Sequence, residues 1–237
     1  MLTAPQFLPA GLLSVRARIA AAAGNAARDP AAIRLLAVSK QQPVALVRGA
    51  YDAGQVEFGE NYVQEALPKI EALRALPISW HFIGRLQANK TREIAAGFEW
   101  VHTLDRERVA RRLSEQRPHH AAPLKVLLQV RVADDPGKGG VDADELPALA
   151  GAVGRLPHLA LRGLMCMPPP AAGEAAQRAP FRRLRELLED LNRRGHALDT
   201  LSMGMSGDLE AAIAEGATIV RVGTAIFGPR NQDGSAR

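Results

Sequence analysis

Short apolar segments with strand character alternate with helical segments eight times along the chain, and this alternation limits the possible folds more than any other feature. Residues 35–39, 124–132 and 218–222 are examples of the strand segments, and each is followed by a loop and a helical segment. Alternating strands and helices imply a parallel sheet with right-handed crossovers. Eight such units in 237 residues predict one α/β domain over residues 1–237, folded as a closed (β/α)8 barrel of the TIM type. A helix at about residues 11–27 would precede the first strand.

Local signals add detail to this prediction. Pro68 falls inside the helix predicted after the second strand and indicates a kink or a restart there. Asp105 follows the fourth strand and is a plausible N-cap of the next helix. Apolar residues at helical spacing predict the inward faces of three helices: Val63, Leu67, Ile70 and Leu73 in one, Leu146, Leu149 and Val153 in another, and Phe181, Leu184, Leu188 and Leu191 in the longest.

Composition and charge exclude several classes of protein. The net charge of +5 and the pI near 9.9 suit an anionic ligand or a nucleic acid, but the arginines are scattered, which favours solvated helix faces over a nucleic-acid surface. No apolar run approaches the roughly 20 residues of a membrane span. Arg16 and Arg18 interrupt the apolar start of the chain, which argues against a signal peptide.

Cysteine and histidine usage points to a reducing compartment and to no metal. Cys166 is the one cysteine, so an intramolecular disulfide is impossible and a cytoplasmic location is expected. His119 and His120 are adjacent and have no metal-ligand spacing to other histidines or to the cysteine, so we predict no metal site.

Lys40 stands where the first predicted strand ends, and it is one of only five lysines in the chain. In a barrel of this type the functional groups lie at the carboxyl ends of the strands. A lysine can form a Schiff base with a carbonyl compound when its surroundings lower its pKa. The alternative is that Lys40 merely begins a surface loop, because strand ends are commonly polar.

Two glycine-containing loops follow the seventh and eighth strands, where such barrels often hold phosphate. Backbone N–H groups in these loops, with the hydroxyls of Ser206 and Thr224, suit a dianion, and Gly207 and Gly223 would let the backbone approach it. The alternative is that Ser206 only caps a helix and Gly223 only turns the chain. The occurrence of both loops at the two expected positions favours phosphate.

Three further polar residues stand on or just after predicted strands. Arg221 lies near the end of the eighth strand, where a charge needs a partner such as a phosphate, a ring nitrogen or a carboxylate. His81 lies within the third strand and is either a satisfied core histidine or a functional group. Asn61 follows the second strand and is either a polar contact to a ligand or an N-cap.

A Schiff-base lysine combined with a phosphate site points to pyridoxal 5′-phosphate as the cofactor. An acid beside the pyridine nitrogen would protonate the ring and make it a strong electron sink. An arginine has no proton to give, so Arg221 in that position would leave the sink weak. A Schiff-base aldolase of sugar phosphates remains an alternative, and it would bind no cofactor.

The sequence resembles the pyridoxal phosphate homeostasis proteins, whose barrel is similar to the N-terminal domain of alanine racemase. The matching stretches span nearly the whole chain: residues 37–40, 58–65, 80–90, 162–165, 201–206 and 221–228. The chain departs from the commonest family pattern at Gly207, where an acidic residue often follows the serine, and at Pro68.

The resemblance implies a set of cofactor contacts and a role. Lys40 would hold pyridoxal phosphate as an aldimine, and Arg221 would face the pyridine nitrogen. Ser206, Gly207, Gly223 and Thr224 would surround the phosphate, and Asn61, His81 and Met203 would line the pocket. The family is thought to act in cofactor supply and amino-acid balance without robust catalysis, so no catalytic residue is assigned.

An amino-acid racemase is the competing function. Racemisation by two bases needs an acid or base on each face of the cofactor, and the two tyrosines, Tyr51 and Tyr62, stand on predicted helices. We expect a cytoplasmic monomer that binds pyridoxal phosphate, with apo-enzymes that need this cofactor as candidate recipients and with no nucleic-acid or membrane partner. The role of Lys138, in the loop at residues 133–140, stays open.

Overall fold

The protein is a closed parallel barrel in the computed structural model, which describes residues 4–133 and 139–228. The (β/α)8 fold predicted from the sequence is therefore confirmed. Within the described residues eight strands follow one another around the barrel in chain order, and β8 closes on β1. Their bounds are β1 Arg34–Val38, β2 Glu57–Glu60, β3 Ser79–Phe82, β4 Trp100–Leu104, β5 Leu124–Gln129, β6 Leu159–Met165, β7 Thr200–Ser202 and β8 Ile219–Val222.

Helices pack around the outside of the barrel and connect its strands. In the described part of the chain they are α1 Ala4–Asn25, α2 Val44–Asp52, α3 Val63–Ala72, α4 Thr91–Gly97, α5 Glu107–Gln116, α6 Leu146–Gly154, α7 Glu174–Arg193, α8 Leu209–Ala214 and α9 Thr224–Phe227. Short 3-10 turns at Pro30–Ala32 and Ala88–Lys90 precede β1 and α4. No helix among these is long and apolar enough to cross a bilayer.

The strand register brings the carboxyl ends of all eight strands to one rim. Leu36 pairs with Arg221 and Ala37 with Val222, so β8 ends beside β1. On the other side of β1, Val38 pairs with Gly59 of β2. The loops that follow β1, β2, β7 and β8 are therefore neighbours in space.

Most apolar side chains are buried between the strands and the surrounding helices. The predicted inward residues of α6 and α7 are buried there, which confirms those two faces. Helix α1 adds to this layer, and its Gly11 packs so closely on α9 that an added Cβ would lie 2.8 Å from the carbonyl oxygens of Ala225 and Ile226. Two smaller buried clusters are separate from the main one: Leu36, Ile83 and Ile219, and Trp100, Leu127 and Met165.

Two local predictions are corrected by the structure. Helix α3 runs from Val63 to Ala72 with Pro68 inside it, and Ala66 N donates to Tyr62 O and Leu73 N to Lys69 O, each at 3.0 Å, so the predicted restart is wrong, while the kink stays a prediction. Asp105 is not the N-cap of α5. Arg106 is in that position and offers no side-chain cap, while the Asp105 carboxylate accepts a bond from Arg106 Nη1 at 2.9 Å.

Candidate functional site

A pocket of about 280 Å³ opens at the carboxyl-end rim. Seven of the nine residues predicted for the cofactor site line it: Lys40, Asn61, Ser206, Gly207, Arg221, Gly223 and Thr224. Its volume is near the lower end of the roughly 300–1,000 Å³ typical of small-molecule sites. The rest of the lining, which the sequence did not single out, lies within a few residues of strand ends: Val38, Gln42, Ile83, Met167, Met205 and Gly228.

Lys40 lies in a tight turn just after β1 and is partly exposed. Gln42 N donates to Ser39 O at 3.0 Å, which closes the turn. Gln41 has a φ of 59°, in the left-handed region, and its N–H donates to Glu65 Oε2 at 2.9 Å. This bond holds a backbone conformation that costs roughly 1–2 kcal/mol for a residue with a Cβ. The turn therefore fixes where the lysine leaves the strand.

A buried ion pair supports the Lys40 turn from behind. Lys69 Nζ donates to Glu60 Oε1 and to Ser39 O, both at 2.8 Å, and Ser39 Oγ donates to Glu60 Oε1 at 2.7 Å. All three side chains are almost fully buried. Burial raises the pKa of the Glu60 carboxyl, and the charge and hydrogen bond of Lys69 lower it again in part. This pair could not be predicted from the sequence, because Lys69 looks like an ordinary helix lysine.

The loops after β7 and β8 present backbone donors to the pocket. Within the described residues the N–H groups of Ser206, Gly207 and Thr224 donate no hydrogen bond. The residue that precedes α8 is Asp208, which also accepts a bond from Met205 N at 2.6 Å, so Ser206 does not cap that helix. Unused N–H groups and hydroxyls beside a pocket suit a phosphate.

Helix α1 holds the first of these loops from outside. Arg18 Nη2 donates to Ser206 O at 2.9 Å, and its guanidinium also pairs with Glu210 of α8 at 2.8 Å. The Ser206 carbonyl is thereby engaged away from the pocket. The phosphate-type loop thus depends on a residue nearly 190 positions earlier in the chain.

Arg221 lies in the floor of the pocket and is 4% exposed. Its Nη1 donates to Ser202 Oγ at 2.7 Å and its Nη2 to Cys166 O at 2.8 Å. Burial lowers the pKa of the guanidinium, and the carboxylate of Asp208 acts in the opposite direction. An arginine side chain stays charged in proteins, so Arg221 presents further N–H donors to whatever the pocket holds.

The other two predicted residues do not line the pocket. His81 lies inside the barrel, fully buried, with its ring stacked on Trp100 at a centroid distance of 5.4 Å. Its Nδ1 lies 2.9 Å from Nε2 of His102, a residue that the sequence did not single out. Met203 is fully buried in the main apolar cluster, and its N–H donates to Ile219 O at 3.1 Å.

Pyridoxal phosphate fits the groups that this pocket contains. The loops offer donors for a phosphate, Lys40 offers an amine for an aldehyde, and Arg221 offers donors for a ring nitrogen. Asn61 Oδ1 is buried without a hydrogen-bond partner in the described structure, and a polar ligand group could satisfy it. Among residues 4–133 and 139–228 no three His, Cys, Asp or Glu side chains form a metal site, and Lys138 lies outside these ranges.

Comparison with known proteins gives a family model and close relatives. The model described as the alanine racemase N-terminal domain matches residues 14–231. The pyridoxal phosphate homeostasis protein of Pseudomonas aeruginosa is 60% identical over 220 residues, covering 93% of this chain and 94% of that one. The protein of the same name from Escherichia coli is 49% identical over 223 residues, covering 93% and 95%.

A solved structure shows the same barrel with a ligand. PipY of Synechococcus elongatus, solved with pyridoxal phosphate bound, is 38% identical to this chain. It superposes with a TM-score of 0.83, and the match covers 93% of this chain and 100% of PipY.

Proposed function

This chain belongs to the alanine racemase N-terminal domain family and, within it, to the pyridoxal phosphate homeostasis proteins, and we propose that it binds pyridoxal 5′-phosphate reversibly and serves intracellular supply of that cofactor. One observation carries the proposal. Lys40, the donor-rich loops after β7 and β8, and Arg221 line a single pocket. They match the aldehyde, the phosphate and the ring nitrogen of one molecule.

The attachment proposed for Lys40 is a Schiff base. Its Nζ, in the neutral amine form, adds to the aldehyde carbon, one water molecule leaves, and a C=N bond remains. Water reverses the same step and returns the aldehyde. Pyridoxal phosphate, when bound, supplies an electrophilic carbon and an electron-withdrawing ring. The protein contributes the amine, a phosphate cradle at Ser206, Gly207, Gly223 and Thr224, and a cation at Arg221.

The pocket argues for a carrier rather than a racemase. Among the lining residues of the described structure, Lys40 is the one side chain that could act as an acid or a base toward a substrate. Racemisation needs a second such group on the opposite face. Tyr62 follows Asn61 but is 51% exposed and lies outside the lining, as does Tyr51. Arg221 beside the ring nitrogen further limits carbanion chemistry.

The test of attachment uses the visible absorption band of the Schiff base. The wild-type protein, incubated with pyridoxal phosphate, should show the band, and Lys40→Arg should lose it because a guanidinium cannot condense with an aldehyde. Lys90→Arg is the matched control and should keep it. Reduction with borohydride followed by peptide mass mapping should locate the label on Lys40. A colourless wild type, or a label on another lysine, would refute the proposal.

The test of the homeostasis role is transfer. The loaded protein is mixed with an apo-enzyme that needs the cofactor, and activation is compared with that by free pyridoxal phosphate in the presence of an aldehyde scavenger. Activation that survives the scavenger supports a supply role. Formation of D-amino acids well above the rate with free cofactor, abolished in Lys40→Arg, would instead establish the racemase.

The proposal includes a cytoplasmic monomer without nucleic-acid or membrane partners. The single cysteine, Cys166, and the scattered arginines support it. Light scattering at several protein concentrations tests the monomer, and a mass that rises with concentration would contradict it.

A further inference from the structure

A line of polar groups leads from buried Arg221 through the barrel interior to a partly buried serine and an exposed carboxylate at the opposite mouth of the barrel. Arg221 Nη1 lies 2.7 Å from Ser202 Oγ, Ser202 Oγ 2.9 Å from His102 Nδ1, and His102 Nε2 2.9 Å from His81 Nδ1. His81 Nε2 then lies 3.3 Å from Ser79 Oγ, which donates to Glu99 Oε2 at 2.9 Å. We call these six residues the polar relay.

The relay crosses the interior of the barrel. Ser202 belongs to β7 and His102 to β4, and these strands are not neighbours in the sheet. Their bond therefore spans the barrel lumen, and both histidines are fully buried in it. Unpaired polar groups at such a position would each be costly, so a lumen filled with apolar residues would be the simpler way to stabilise a barrel.

Donor and acceptor roles along the relay follow from its two ends. An arginine can only donate, so Ser202 Oγ accepts from Arg221 and has one O–H left for His102 Nδ1. His102 then has its proton on Nε2 and donates to His81 Nδ1. His81 in turn has its proton on Nε2 and donates to Ser79, which donates to Glu99. Every bond points the same way.

This order requires both imidazoles to be neutral. A second proton on His102 would turn Nδ1 into a donor toward Ser202 and would place a cation beside the Arg221 guanidinium. Burial lowers the pKa of both histidines well below the ordinary value, and the positive charge of Arg221 lowers that of His102 further. The neutral relay is therefore the stable form at physiological pH.

We propose that Ser202, His102 and His81 are positioning residues for Arg221, which hold its guanidinium so that its remaining N–H groups donate to the ring nitrogen of pyridoxal phosphate. The inference rests on the proposed function and adds to it. It gives His81, which does not line the pocket, a role that acts through His102 and Ser202. The result is a ring nitrogen that accepts a hydrogen bond and stays unprotonated.

The test compares two ligands on one variant. Ser202→Ala removes the hydroxyl group that is hydrogen-bonded to both Arg221 and His102. The ligands are pyridoxal phosphate and a carbocyclic analogue in which C–H replaces the ring nitrogen, and both keep the aldehyde and the phosphate. Ser202→Ala should weaken pyridoxal phosphate roughly tenfold, a change of about 1.4 kcal/mol, and should leave binding of the analogue unchanged.

Ser114→Ala is the matched control. Ser114 is another buried serine, in α5, where its Oγ accepts a bond from His158 N outside the relay. It should change the affinity for neither ligand. His102→Gln, whose neutral amide keeps a donor NH2 group and an acceptor oxygen, is the second variant and should show a partial loss confined to pyridoxal phosphate.

The outcomes separate this inference from the proposed function. An equal loss for both ligands, or no loss for either, would overturn the positioning role. Nitrogen NMR of ring-labelled pyridoxal phosphate adds a direct readout: the resonance should be that of an unprotonated nitrogen in the wild type and should shift in Ser202→Ala. If the wild type forms the visible band with neither ligand, the proposed function itself is refuted.

Discussion

Replacing Lys69 by Met would remove the cation behind the Lys40 turn while keeping most of its apolar stem. The substitution deletes two hydrogen bonds of 2.8 Å, to Ser39 O and to Glu60 Oε1. Glu60 would keep one bond, from Ser39 Oγ, while its Oε2 has no partner in the described structure even with Lys69 present. Breaking a buried pair from one side costs about 3–5 kcal/mol, and we expect a loss of that size.

Urea unfolding of the cofactor-free protein measures this loss. With a slope of about 3 kcal/mol per molar urea for a chain of this size, the midpoint should fall by roughly 1–1.7 M. Lys90→Met removes the partly exposed Lys90–Glu93 pair and is the control, with an expected loss of about 0–1 kcal/mol. Adding Glu60→Gln to Lys69→Met should recover part of the loss, because a neutral amide replaces the stranded carboxylate. The Ser39 carbonyl stays unpaired, so a deficit of about 1–3 kcal/mol should remain.

The pH dependence supplies an independent check. Burial raises the folded-state pKa of Glu60 above its unfolded value. The stability linked to such a group is full below the unfolded pKa and is lost as pH rises through the folded pKa. Without Lys69 the folded pKa should rise further, so Lys69→Met should gain stability relative to the wild type as pH falls from neutral toward the unfolded carboxyl pKa of about 4.3. The reasoning is refuted if Lys69→Met lies within 1 kcal/mol of the wild type, or if the double variant is no more stable than the single one.

Three further predictions concern other buried groups. The Cys166 thiol, whose pKa burial raises to about 12, should react with a disulfide reagent only as fast as the protein unfolds; rapid labelling without urea would contradict its burial. Because the pKa values of His81 and His102 are lowered by burial, unfolding of the apo protein should become easier as pH falls below about 6.5, by up to ~1.4 kcal/mol per pH unit for each histidine, and His102→Gln should flatten that slope. Gly163→Ala should prevent folding, since its Cβ would lie 1.8 Å from Thr200 O. Gly154→Ala should stabilise the protein by up to about 1 kcal/mol, because Gly154 lies in a helix and an added Cβ would meet no other atom within 4 Å. Expression and thermal melting of the two variants test both expectations.

The barrel could be predicted from the sequence because its signal is repeated. Each strand is a short apolar run, each helix follows it, and small errors at the element ends do not change the order. Helix α1 shows the size of such errors: it begins at Ala4 rather than near residue 11. The position of the site followed from the fold, because Lys40 and the loops at Ser206 and Gly223 all stand after strands.

The parts that the sequence did not reveal depend on distant partners. In α3 the predicted stripe does pack against the core, but Leu67 and Ile70 are only partly buried, whereas Lys69 is buried. Burying a lysine is tolerable only because Glu60 lies beside it, and no local sequence pattern predicts that contact. His102 pairs with Ser202, which is 100 residues away, and a histidine in a strand looks the same with or without such a partner.

The contact between α1 and the loop at Ser206 also has a consequence for biosynthesis. Ala4–Asn25 leaves the ribosome well before Leu209–Ala214 and Thr224–Phe227. At 5–20 residues per second these events are separated by roughly 10–50 s. Until then Arg18 lacks its Ser206 partner, β1 lacks β8, and the edge of the growing sheet stays open. A chain truncated before Thr224 would therefore lack part of the proposed phosphate cradle, and capture of the cofactor would report that translation has passed β8 and the loop that follows it.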